Sequence, residues 1–111
     1  MTKAKNDDHL ICGQTALQIA TLKQKHGNVF LTTVTDGNAK INAICKEPSM
    51  EVMEAVKTIG ETSETQASIA LYDNCVLHTD ECVKHRFPVR MKIVLAISLK
   101  IAALQAETKN L

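Results

Sequence analysis

The chain has 111 residues, of which 45% are hydrophobic and 23% charged, with a formal net charge of +1. That is the length of one compact domain, and a charge so close to zero leaves no general attraction for nucleic acid or an anionic membrane. With no Trp, one Tyr and two Phe, the core has to be built from Ile, Val, Leu, Ala and Met, and the aromatic platforms that hold single-stranded nucleic acid are lacking.

Met1–Leu10 carries two lysines with no apolar run behind them, which does not read as a secretory signal. Cys12, Cys45, Cys75 and Cys82 are then expected to be free thiols in a reducing compartment. Residues 1–12 are expected to form a flexible arm, and residues 13–111 a single α+β domain.

A helix is predicted over 13–26. Ala16, Leu17, Ile19, Ala20 and Leu22 form a rough apolar stripe, Lys23, Lys25 and His26 suit the negative end of the helix dipole, and Gly27 suits the cap. Asn28–Thr35 and Asn38–Lys46 are β-prone runs around Asp36-Gly37, a pair that favours a two-residue hairpin turn. With Asp36 and Gly37 as the loop, Val34 faces Ala39, Thr32 faces Ile41 and Phe30 faces Ala43. Those residues share the more apolar face with Cys45, whereas Thr33, Thr35, Asn38, Lys40 and Asn42 make the other face polar.

Glu47-Pro48-Ser49 ends the second strand and opens a helix through Val52, Met53, Val56 and Ile59, with Ser49 as a candidate N-cap. Another helix is predicted from Thr62 or Ser63 through Ala67, Ile69, Ala70, Leu71 and Cys75. The last helix is predicted over 88–107. Its apolar positions cover most of the circumference, and Arg90, Lys92 and Lys100 make it unlike a membrane span. It is therefore either the central core helix or partly buried against another chain. The expected fold is an N-terminal helix, a β-hairpin and three helices packed on one face of a small antiparallel sheet. A two-stranded sheet is marginal, so a third strand is expected from a partner or from a segment without a clear strand signature.

Cys75-x2-His78-x3-Cys82-x2-His85 offers the ligand types of tetrahedral zinc, but on one straight helix these residues would span about 15 Å. A metal site would need a sharp break near Thr79-Asp80, and no metal or cofactor is expected. The chain's four glycines are far apart and form no phosphate loop, and its carboxylates are scattered, so no catalytic residues are assigned. Lys84, His85, Arg86, Arg90 and Lys92 form a basic cluster that reads as a solvated or partner-facing patch. The partner-binding candidates are Val94, Leu95, Ile97, Leu99, Ile101 and Leu104 of the last helix.

Several segments also follow, in order, a pattern found in a known group of proteins. Leu22-Lys-Gln-Lys-His-Gly-Asn-Val29 matches a Leu-Lys-x-Lys-x-Gly-x-Val entry to the first strand. Lys46-Glu-Pro-Ser49, followed by Val52, Met53 and Ala55, matches the helix start after the hairpin. Ile69-Ala-Leu-Tyr-Asp-Asn-Cys75 matches an Ile-Leu-x-x-Asn-Cys helix end, and Ile93–Ala106 the closing helix. Over residues 22–107 the chain resembles small tail-assembly-chaperone-like proteins of tailed bacteriophages and prophages. After Cys75 it departs from them: where they carry Trp-x-Gly-Gly-Asp-Glu, this chain reads Val76-Leu-His-Thr-Asp80-Glu81, keeping only the acidic pair.

The resemblance implies a non-enzymatic protein of the bacterial host cytoplasm that keeps a tail or tape-measure component soluble, with retention in the virion left open. The near-zero net charge, the few aromatics and the charges within the last helix leave no nucleic-acid or membrane partner expected. The alternatives are a homo-oligomeric structural module joined through the last helix and a small zinc-binding regulatory domain.

Overall fold

A computed structural model describes residues 10–111 of the chain. Residues 1–9, most of the expected arm, lie outside the described part. Cys12, the last residue of that arm, is buried. Ile11 and Gln14 exchange both backbone hydrogen bonds, at 3.0 and 2.9 Å, around Cys12 and Gly13, which have φ of 53° and 78°. Two successive positive φ angles make a tight turn, and this one tucks the Cys12 side chain inwards.

Helix α1 spans Ala16–His26. Thr15 caps it through a full capping box with Gln18, which moves its start three residues beyond the predicted one. Strands β1 (Val29–Asp36) and β2 (Ala39–Lys46) form the hairpin. Its loop is Gly37-Asn38, not Asp36-Gly37: Asp36 pairs with Ala39, Val34 with Ile41, Thr32 with Ala43 and Phe30 with Cys45. Gly37 has φ 60° and Asn38 has no positive φ, the signature of a turn with glycine first. Each β1 residue therefore meets a β2 partner two residues further on than predicted, which leaves the assignment of faces intact.

Helix α2 (Met50–Gly60) begins after Ser49, whose hydroxyl accepts from the Val52 N–H at 3.2 Å. Helix α3 (Glu64–Cys75) begins after Ser63, which accepts from Gln66 N–H at 3.1 Å. The third strand comes from within the chain. β3 (Val76–Thr79) pairs antiparallel with β2, giving the order β1-β2-β3. A 3-10 turn, Glu81–His85, leads into helix α4, Phe87–Ala102. α4 stops five residues short of the predicted end. No residue after Ile101 is buried, so a longer helix would gain no packing to offset the cost of ordering it.

Among the described residues, four helices and a three-stranded antiparallel sheet make the α+β fold expected from the sequence. The core joins Ile41, Ala43 and Cys45 of β2 to Leu71 and Cys75 of α3, Val83 of the 3-10 turn, and Val89, Ile93, Val94 and Ile97 of α4. Val52 and Val56 bring α2 against the same cluster, so the three later helices do share one face. α1 lies on the opposite face, where Ile11 and Ile19 border a groove with Leu31 and Ile44. α1 buries none of its residues, and Leu17 is 77% exposed.

Candidate functional site

α4 runs along β1. At one end Arg86 Nη1 is 2.8 Å from Asp36 Oδ2. At the other, Lys100 Nζ lies 4.9 Å from the centre of the Phe30 ring. The pairing of a long helix with one strand sorts the six candidate positions into three groups.

Val94 and Ile97 belong to the core, with Ile97 at 0% exposure, and are corrected from partner-binding to structural residues. The helix touches α3 and the sheet on that side, which is why they are inside. Leu95 and Leu99 face outwards at 49% and 60% exposure. Ile101 is half-buried, and Leu104 is exposed beyond the helix end. Ile101 and Leu104 line an open groove of about 170 Å³ with Glu47, Pro48 and Met53. The apolar surface that can receive another molecule is thus Leu95, Leu99 and the rim formed by Met53, Ile101 and Leu104.

The Cys/His set does not assemble. Cys75 ends α3 and is buried, His78 is on β3, and Cys82 and His85 are exposed in the 3-10 turn. Among the described residues no three His, Cys, Asp or Glu side chains come together as a metal-binding group. The segment is broken after Cys75, but the break creates a strand that holds the sheet.

Three cysteines sit where a thiolate is costly. Burial, with the Asp80 carboxylate as the next cause, pushes the Cys12 thiol up to about 11. Burial also pushes Cys45 up to about 11, partly offset by its hydrogen bond to Thr32. Cys75 is raised by burial as well. These are inert thiols rather than nucleophiles, since the thiolate is the reactive form.

The basic cluster is dispersed by local pairing. Lys84 meets Glu81 at 3.4 Å, Arg86 meets Asp36, and Arg90 lies 5.7 Å from the Phe87 ring centre. No described helix is long and apolar enough to cross a membrane.

Sequence reasoning missed the groove between α1 and the sheet, lined by Ile11, Ile19, Lys23 and Leu31. Its one available signal was Leu31 and Ile44, apolar residues on the strand face that is otherwise polar.

No family model matches the chain, and no curated protein matches it. A solved structure, that of the uncharacterised protein rbstp2171 from Bacillus stearothermophilus, is similar to it. The TM-score is 0.58 at 16% identity, over 83% of this chain and 99% of that one. At that identity the likeness speaks for the fold alone.

Proposed function

We propose that the protein is a non-enzymatic assembly chaperone or virion-associated protein of the tailed-phage kind. It holds an apolar segment of another structural protein, such as a tail or tape-measure component, in the bacterial host cytoplasm. The observation that carries this reading is the outward placement of Leu95 and Leu99 on a helix whose other side already fills the core. The chain's resemblance to tail-assembly-chaperone-like proteins at its helix and strand junctions supports the same reading.

Energetics favour a modest, reversible contact. Covering two half-exposed leucines together with the Met53 and Leu104 rim yields a few kcal/mol at about 25 cal/mol per Å². Association costs of similar size oppose it. A chaperone that must release its client needs such a balance.

The test is co-purification from infected or induced cells with phage tail proteins, comparing wild type with a Leu95→Asp/Leu99→Asp double variant. Recovery of a tail component with wild type and its loss with the folded variant is the expected result. Equal recovery with both would remove α4 from the interface. Sedimentation of the purified protein separates this reading from a homo-oligomer, whose self-association the same variant would abolish.

A further inference from the structure

The sheet has two outer edges, and the chain treats them differently. β3 is four residues long and its register with β2 shifts between Ile44 and Cys45. Just beyond it, Asp80 takes up both backbone groups of Asn42. Short, irregular edges of this kind discourage further pairing. β1 is eight residues long, stays in register with β2 throughout, and carries no proline and no charge from Val29 to Thr35. None of the usual devices for blunting an edge is present in its sequence.

The hairpin fixes which backbone groups of β1 are free. Its two-residue loop closes on the Asp36–Ala39 pair, so Asp36, Val34, Thr32 and Phe30 direct their N–H and C=O to β2. Val29, Leu31, Thr33 and Thr35 direct theirs outwards. The other side of the ladder agrees: Asn42, opposite Thr33, points its N–H and C=O away from β1 to Asp80. Among the described residues no side chain or backbone group bonds to the outward groups of those four residues. Leu31, Thr33 and Thr35 are exposed.

α4 lies above this edge. From Arg86 to Lys100 it rises about 21 Å, which matches the roughly 20 Å from Asp36 back to Phe30 along the strand. Arg90 lies 5.7 Å from the Phe87 ring centre, and its charge acts on the Tyr72 phenol of α3. Leu99, nine residues later, is half a turn round the helix from Arg90, which falls within the arc of the buried Val89, Ile93, Val94 and Ile97, so Leu99 points away from the core and the sheet. Lys92 shares that side, two turns before Leu99.

The helix decides what can join the strand. A second copy paired through β1 would bring two α4 helices to about one strand spacing, ~4.8 Å, where packed helices need about 8–10 Å. A single extended segment brings no helix and fits beside β1 beneath α4. We infer that β1 is a receptor strand. It takes up an extended apolar segment of another protein as a fourth strand, whose alternate side chains continue the apolar face of Phe30 and Val34. Lys92 and Lys100 along the helix select a segment bordered by acidic residues, since Asp36, the strand's own carboxylate, is already paired with Arg86. This rests on the assembly reading and gives the client's bound conformation.

The probe is a displayed library of random 12-residue peptides selected on the full chain. The selection is expected to recover peptides that alternate apolar residues and carry flanking acids. Their binding should slow amide hydrogen exchange at Val29, Leu31, Thr33 and Thr35 at least tenfold, with little change at Phe30, Thr32 and Val34. Thr33→Pro removes an N–H that bonds to nothing among the described residues, and should lower affinity at least tenfold. If that variant does not fold, the same loss is read with peptides N-methylated at every second residue. Failure to recover peptides, unchanged exchange at the four amides, or undiminished binding by N-methylated peptides would overturn the inference. If a tail component binds Thr33→Pro undiminished, the edge fails and the assembly reading stands. If the peptides add to β1 but no tail component binds the protein, the edge stands and the assembly reading fails.

Discussion

Asp80 and Asn42 hold each other through two hydrogen bonds, Asn42 N–H to Asp80 Oδ2 at 2.7 Å and Asp80 N–H to the Asn42 carbonyl at 3.0 Å. The pair extends the β2–β3 ladder past the last strand residue and fixes where the chain turns into the 3-10 segment. The Asn42 N–H has no other partner among the described residues. Asp80→Ala should therefore cost about 1 kcal/mol, the low end of the range for a donor left without its acceptor, because this contact is only part-buried. Asp80→Asn keeps an acceptor oxygen and should cost less. Urea unfolding of the two variants checks this, and equal stability of Asp80→Ala and wild type would show that the contact contributes nothing.

The turn at Gly37 carries a second expectation. Its φ is 60°, and a Cβ placed there would meet nothing within 4 Å. The cost of a side chain is thus backbone strain alone. Gly37→Val should destabilise by about 1 kcal/mol or more, while Gly37→Asn should cost only part of that, because Asn tolerates positive φ. A thermal melt of Gly37→Val that overlays wild type would contradict the turn.

These two sites mark how far the sequence could be read. Ser49, Ser63 and Gly27 announce their helix ends because capping is local chemistry, and all three stand at helix ends. The hairpin faces follow from alternation, but Asp36-Gly37-Asn38 holds two acceptable turns, and pairing along the whole ladder selects the second. β3 was hidden because Val76-Leu-His-Thr is short and sits inside a Cys/His spacing that draws attention to metal. Its strand character comes from pairing with β2, distant in sequence, and from the Asp80–Asn42 contact, 38 residues apart. On α4 the apolar residues encircle the helix, so periodicity could not separate Ile97 from Leu95; the positions of β1 and α3 do.

Alkaline pH should expose the buried thiols. Cys12 and Cys45 are raised to about 11 in the folded chain, whereas an unfolded thiol ionises near 8.5 to 9, in round terms. A folded value above the unfolded one means that the unfolded state loses its proton first as pH rises. Stability is then fully present below about pH 8.5 and falls progressively toward pH 11, on the order of 2 kcal/mol for each thiol. Urea midpoints measured from pH 7 to 10.5 should decline, and Cys45→Ala should flatten the decline. At pH 8 a thiol reagent should modify exposed Cys82 quickly and the three buried cysteines only on unfolding.

The two faces of α4 should respond in opposite ways to the same chemistry. Ile97 is fully buried among the residues of the sheet and α3, so Ile97→Asp places a carboxylate where no partner waits and should unfold the domain or cost more than about 4 kcal/mol. Val94→Asp should be nearly as severe, since Val94 is 7% exposed. Leu95 and Leu99 leave about half their surface in water, and Asp there should shift stability by no more than about 1 kcal/mol each, mostly through lower helix propensity. Circular dichroism melts of the four variants read the contrast directly. Severe loss at Leu95 or Leu99 would mean that these leucines already serve the core, and the surface on which the assembly reading depends would not be free. Retained stability there, with collapse at Ile97, is the pattern of a helix that fills the core on one side and keeps the other for a partner.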